Sequence, residues 1–479
     1  MCLGSGNPPP QPHHRRPFDS NNGDDLDDID AAENGRAPAE RRCDLDDGCN
    51  HVNPYLEMES MSDEDWDDLE DIRIILEFNK QQRSIKYRHD RKDWQKHVEM
   101  LVATKEFHNR FRMNRDEFEY LFDALEDAIT VSFVKSMAST DGNDPIYPEV
   151  VMACGLRFLA LNDSPQTLSD LYGMSVSSAK RVINMFLDAV DFNDTFEPLQ
   201  VKLPDPTDPD ALHDLAERWR NVSTAFGLFN NHLGALDGWL PRTEMPWDVP
   251  NQADYFSGHY QCYGLNVQAM CDPDLLFLYI AVVAPGKTND IRAYGWCYAL
   301  HAWLEALPEQ YFISADNAYP LSRRILIPFS GGEAYIEFNR TYNFYLSQLR
   351  IRIEMTFGLL TTKWRRLRTP LNYSSRKNAK IIRVCTKLHN YCIRMKKLRG
   401  EGTVPSFSGR TVDPSAYGIS PMADGGNRRS SFGFLETVSE EEVSEYSTLN
   451  PDFSCRNAIV ADVESRALRR PAGNRNRNG

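Results

Sequence analysis

A chain of 479 residues, 41% hydrophobic and 11% aromatic, has room for several ordinary domains or one large core with appendages. Its net charge of −15 is misleading about partners, because residues 1–79 hold 21 acids and 6 bases while the other 400 residues balance at 48 of each. No apolar run reaches the ~20 residues a membrane span needs, and ten scattered cysteines without a CxxC pair exclude a disulfide scaffold, so the expectation is a soluble intracellular protein without a signal-peptide core.

The first segment, residues 1–95, contains Pro8-Pro9-Pro10, an acidic run from Asp24 to Asp30 and another from Asp63 to Asp68. High charge with low hydrophobicity predicts a largely disordered acidic arm. Cys43, Cys49 and His51 form its nearest approach to a metal grouping, which a disordered arm accounts for better. From Ile72 to about Glu106 the pattern turns helical.

Residues 96–200 read as helix after helix. Phe118, Leu121, Phe122 and Leu125 recur at helical spacing, as do Val150, Val151, Leu156 and Leu159. Pro148–Leu161 makes one helix, broken by Asn162-Asp163-Ser164-Pro165; Gln166–Tyr172 makes a second, ended at Gly173. Ser175 then caps a third over 176–190. That last helix opens with Ser177, Lys180 and Arg181, side chains suited to a helix-turn-helix reading a DNA groove. A plain helical bundle fits the same pattern.

Residues 201–398 change texture. Tyr263, Leu265, Val267 and Ala269 alternate with Gly264, Asn266, Gln268 and Met270, which predicts a half-buried strand, and Leu275–Val283 follows after the turn at Asp272-Pro273-Asp274. A helix over 289–307, a strand over 311–315 and a long helix over 342–367 complete an α/β pattern. Residues 399–479 are Gly-, Ser- and Pro-rich and predict a disordered tail.

Three carboxylates stand out in the α/β part. Asp237 ends the apolar strand Leu233–Leu236, and Asp316 closes the strand Tyr311–Ala315; carboxyl ends of strands are where open α/β sheets build their sites. Glu354 lies in the long helix, whose apolar stripe runs through Tyr342, Leu346, Leu349, Ile353, Phe357, Leu360, Trp364 and Leu367. It sits about 100° around from Ile353, at the rim of that stripe. Between residues 340 and 399 there are 16 Lys and Arg, and Glu354 is the sole acid. A solvated basic face is the plain explanation; one carboxylate in a basic setting better suits metal chemistry on a polyanion, with Arg352, Lys363, Arg365, Arg366 and Arg368 as phosphate contacts. Mg²⁺ or Mn²⁺ takes hard oxygen ligands, and two such ions can activate the attacking oxygen and stabilise the leaving one. Nuclease, polymerase and transposase all share that chemistry.

Ordered stretches then sharpen the reading: Gly234–Trp239, Tyr255–Tyr260, Tyr263–Ala269, Pro285–Asp290, Ala315–Pro320, Arg352–Gly358 and Leu388-His389-Asn390. Over roughly residues 112–398 the chain resembles transposases of the PIF/Harbinger family. The resemblance implies an RNase H-like catalytic core with an Asp-Asp-Glu triad, carried onto Asp237, Asp316 and Glu354 as catalytic and metal-binding residues, preceded by a helix-turn-helix. It also implies two Mg²⁺ or Mn²⁺ ions per site, action in the nucleus on double-stranded transposon ends and target DNA, and a separate Myb-like partner protein; a homo-oligomer stays open. Family members usually carry His before the aspartate where this chain has Asn289-Asp290, which leaves the role of Asp290 open.

Other residues take bland readings: His389 as a packing residue, Trp239 and Trp364 as core, Arg352 as phosphate contact or surface ion pair, His259 as a substrate contact or nothing. The resulting expectation is a transposase that hydrolyses phosphodiesters at terminal inverted repeats and joins the 3′-OH ends to target DNA. The alternatives are a domesticated nuclease or DNA-binding protein and a stand-alone metal-dependent nuclease.

Overall fold

Helices α1 (Trp94–Ala103), α2 (Phe107–Phe111) and α3 (Arg115–Ile129) open the computed structural model, which describes residues 90–131, 145–400 and 452–470. Residues 1–89 of the acidic arm, with Cys43, Cys49 and His51, lie outside the described residues, as do residues 401–451. Next come α4 (Pro148–Ala160), α5 (Pro165–Tyr172) and α6 (Val176–Asp191), the last with the cap expected at Ser175. Ser164 Oγ accepts from Thr167 N at 3.0 Å, and Ser175 Oγ from Ser178 N at 3.1 Å. Gly173 ends α5 at φ +64°, the left-handed region that favours glycine. Gly155 lets α4 and α6 approach closely, since a Cβ there would meet the Phe186 ring at 2.0 Å.

After α7 (Pro209–Arg220) the chain enters a five-stranded sheet: β1 (His232–Trp239), β4 (Leu265–Cys271), β5 (Phe277–Pro285), β6 (Phe312–Ser314) and β7 (Ile325–Leu326). The spatial order is β5-β4-β1-β6-β7. β4 runs antiparallel to β1 and β5, whereas β6 runs parallel to β1 and β7. A short hairpin, β2 (Phe256–Ser257) and β3 (Cys262–Tyr263), precedes β4. Helices α8 (Asp290–Gly295), α9 (Tyr298–Ala306), α10 (Glu337–Lys363) and α11 (Ser375–Leu398) flank the sheet. A mixed sheet so ordered, with flanking helices, fits an RNase H-like core.

Three expectations need correction. All seven residues of β4 are buried, not half of them: Asn266, Gln268 and Met270 are covered as fully as their apolar neighbours. The helix expected over 289–307 is two helices that break between Gly295 and Tyr298. The tail contains helix α12 (Ser454–Ser465), which packs on α10 through Ile459 and Val463; the Arg456 guanidinium stacks 3.9 Å from the Phe329 ring centre. Apolar residues four apart gave this short helix one face to bury, although the tail's composition masks it.

Candidate active site

β1 occupies the centre of the sheet, and its stripe of buried residues ends at Asp237, itself only 5% exposed. Its parallel neighbour β6 pairs Ser314 with Ala235, so Asp316 and Asp237 each lie two residues beyond that pair, side by side at the strands' carboxyl ends. Asp316 Oδ1 accepts from Ala318 N at 2.8 Å, which turns the chain away from the strand. α10 crosses β1, β4 and β6 with the whole expected stripe from Tyr342 to Leu367 buried, and this leaves Glu354 half-buried at the stripe's rim. The three carboxylates therefore gather at one edge of the sheet, Asp237 and Glu354 each feeling the charge of Asp316.

Burial pushes the Asp237 carboxyl well above the usual carboxylate range; Arg350 opposes the rise, and Asp316, Asp290 and Glu354 add to it. Burial likewise raises Glu354, again against Arg350 and with Asp316. Asp290 joins them from the first turn of α8: burial raises it, hydrogen bonds from Asn266 and Gln268 oppose, and Asp316 raises it further. Tyr260, in the β2–β3 loop, is 43% exposed at the mouth; burial of its ring oxygen and then Asp290, Asp237 and Asp316 raise its hydroxyl. His259 beside it is close enough to Asp290 to offset part of that carboxyl's rise.

The sequence leaves the role of Asp290 open, and Arg350, Tyr260 and the buried pair Asn266 and Gln268 were not expected as site residues. The signal for the last two was present: amides inside a strand flanked by apolar residues need a buried partner. Asn289 stands where the family usually carries His, and here it serves the local fold. Its Oδ1 accepts from Arg292 N at 3.2 Å and caps α8.

The expected phosphate contacts divide. Lys180, Arg181 and Ser177 are exposed on the first turns of α6, and Arg365 and Arg368 are exposed after α10, with Lys363 half-buried. Arg352 and Arg366 are each 8% exposed, which corrects their reading as phosphate contacts. Arg352 faces the buried side of α10. Arg366 stacks 3.9 Å from the Phe158 ring centre and donates to the Asp163 carbonyl, so its charge joins α4 to the catalytic part. His389 is buried, donates to the Leu275 carbonyl at 2.9 Å, and burial lowers its pKa to about 3, so it is a neutral packing residue as read. Trp364 is fully buried, and Trp239 stacks on Phe357.

Hard carboxylate oxygens that outnumber the cationic groups acting on them are the donor set a divalent cation takes. Among the described residues no three His, Cys, Asp or Glu side chains close on one point tightly enough to enclose an ion. Mg²⁺ does not require that: it commonly keeps several waters and uses one or two carboxylates together with substrate phosphates.

Residues 236–390 match the family model for the DDE superfamily endonuclease, a span that holds Asp237, Asp290, Asp316 and Glu354. Endonucleases of this superfamily depend on divalent metal. Over 309 residues, 61% of this chain and 71% of the relative, the chain is 23% identical to Protein ALP1-like of Arabidopsis thaliana. Over 298 residues, 61% of this chain and 78% of the relative, it is 23% identical to Putative nuclease HARBI1 of Xenopus laevis. No solved structure matches it. Residues 236–390 are thus similar to DDE superfamily endonucleases, and the likeness to the two relatives supports a Harbinger-type DDE endonuclease domain.

Proposed function

We propose that the protein is a nuclear DNA transposase that hydrolyses phosphodiesters at terminal inverted repeats and transfers the freed 3′-OH ends to target DNA. The reading is supported by Asp237 and Asp316 at the carboxyl ends of adjacent parallel strands, with Glu354 on α10 near enough to feel the charge of Asp316. In this reading those three side chains hold two Mg²⁺ or Mn²⁺ ions, with DNA phosphate completing the coordination. Bound divalent ions supply the activation of the attacking oxygen and the neutralisation of the leaving one. Arg350 offsets part of the acids' mutual repulsion. The buried strand floor under Asp237 excludes water from one side of the scissile phosphate. Tyr260 and His259, at the mouth, are positioned to touch the DNA strand.

A second reading is a nuclease that cuts without strand transfer, and the printed name of the Xenopus laevis relative favours it. The test is the purified full chain with duplexes carrying the element's ends, in Mg²⁺, with and without a supercoiled target. Nicks at the repeat boundary together with joined products support the transposase; nicks alone select the second reading. Cleavage undiminished in EDTA would overturn both.

A further inference from the structure

We propose that Asp290 is the fourth carboxylate of this active site, clamped beside Asp237 so that one of its oxygens is reserved for the divalent cation. The proposal rests on the metal-dependent reading above.

The clamp is a closed set of buried and partly buried hydrogen bonds. Asp290 Oδ1 accepts from Asn266 Nδ2 at 3.0 Å and from Gln268 Nε2 at 3.1 Å. Asn266 gives its other amide hydrogen to the Thr288 carbonyl at 3.0 Å, and Gln268 gives its other one to Asn266 Oδ1 at 2.7 Å. Tyr319 donates its single hydroxyl hydrogen to Gln268 Oε1 at 2.5 Å. Gln268 is fully buried, and Asn266 and Tyr319 are 6% and 3% exposed. A tyrosine hydroxyl has one hydrogen and an amide nitrogen two, so donation runs one way, from Tyr319 through Gln268 and Asn266 to the carboxylate. Three buried polar side chains are thereby spent on fixing one oxygen of Asp290.

The position of that oxygen explains Gly238. A Cβ built there would lie 2.2 Å from Asp290 Oδ1 and 3.1 Å from Gln268 Nε2. Asp290 thus presses against the β1 backbone at the residue after Asp237, and no side chain fits between them. Its second oxygen, Oδ2, takes no hydrogen bond among the described residues, and no Lys or Arg there forms an ion pair with it. A half-buried carboxylate beside a buried one is unfavourable unless something positive meets them. The clamp holds Oδ2 where a cation on Asp237 would find it.

Asp290→Asn separates this role from a merely structural one. Asparagine keeps Oδ1 and its two amide donors, and replaces only Oδ2 with NH₂. The experiment is Mn²⁺ titration of the full chain, followed by electron paramagnetic resonance without DNA. Wild type, Asp290→Asn, Asp237→Asn and Gln268→Leu are compared. Asp290→Asn should weaken Mn²⁺ binding roughly 10-fold to 100-fold, and Gln268→Leu roughly 10-fold through loss of the clamp. Wild-type affinity in Asp290→Asn alongside loss in Asp237→Asn would overturn the proposal and leave the active-site reading standing. Wild-type affinity in both would overturn that reading itself. If Asp290→Asn does not fold, Tyr319→Phe, which loosens the clamp without changing any carboxylate, serves instead. Unchanged Mn²⁺ affinity in that variant overturns the positioning role.

Discussion

Two charged regions of this molecule are built on opposite plans. At the sheet edge, Asp237, Asp290, Asp316 and Glu354 face one another with Arg350 as the opposing charge. Between α6 and α11, by contrast, opposite charges pair across the contact. Arg383 grips Asp191 with two bonds, at 2.9 and 2.6 Å; Lys380 pairs with Asp188; and Lys387 reaches Asp194 at 3.2 Å and the Asp191 carbonyl at 2.6 Å. Further along α11, Lys397 pairs with Asp274 and Arg399 with Glu117. Much of the basic segment that suggests a polyanion surface is therefore spent within the protein, joining the helical part to the catalytic part. Matched charges serve stability; crowded like charges are tolerated where a ligand is to arrive.

The largest expected effect comes from removing one of the crowded charges. Asp237→Asn should reduce cleavage about 1,000-fold or more, the several kcal/mol that metal-assisted charge stabilisation supplies, and yet raise the melting temperature of the metal-free protein. A lower melting temperature would mean that the carboxylate edge is a structural feature. The sign with pH follows from the same groups. Asp237, Asp290 and Glu354 are raised in the folded state, so it holds more protons than the unfolded chain above the ordinary carboxylate range. In EDTA, the contribution of these three groups to stability should be greatest below the unfolded carboxyl values and be lost as pH rises through the folded ones. Asp237→Asn should flatten that fall, which denaturant melts at a series of pH values will measure.

The matched region should respond in the opposite direction. Arg383→Ala leaves Asp191, whose side chain is 5% exposed, without its partner. The cost should be roughly 2 kcal/mol, below that of a fully buried pair because Arg383 is 40% exposed. Guanidinium unfolding measures it; a loss under ~0.5 kcal/mol would show that the interface does not depend on its charges.

This contrast also marks what was legible in the sequence. Asp237 and Asp316 could be found because each interrupts an apolar strand at its end, and Glu354 because it breaks both a helical stripe and a basic run. All three signals are local. Asn266 and Gln268 looked like the wet face of a half-buried strand; alternation cannot show that α8 covers that face and brings Asp290 onto it. Arg352 and Arg366 looked like their exposed neighbours because charge composition carries no phase. The partners of α11 lie about 190 residues away on α6, a pairing that only the folded chain creates.

The smallest effect, and the one that tests the remaining basic residues, concerns DNA. With Arg352 and Arg366 buried and Lys363 half-buried, the expected contacts that are exposed are Arg365 and Arg368 after α10, with Lys180 and Arg181 on α6. Phosphate contacts release counterions and set affinity and salt dependence; contacts to base edges set sequence choice. Replacing Arg365 and Arg368 with Ala should weaken binding to terminal-repeat and random duplexes alike, and lower the slope of log affinity against log salt by about 2. Replacing Lys180 and Arg181 should instead narrow the gap between the two duplexes, by about 1–3 kcal/mol for each side chain that reads a base edge. Binding titrations on both duplexes at several salt concentrations separate the outcomes. Equal losses on both duplexes for the 180/181 variant would make α4–α6 a structural bundle docked by Arg366 and the α11 ion pairs. Sequence choice would then belong to a partner protein, and the matched region would serve only to hold the acidic edge in place.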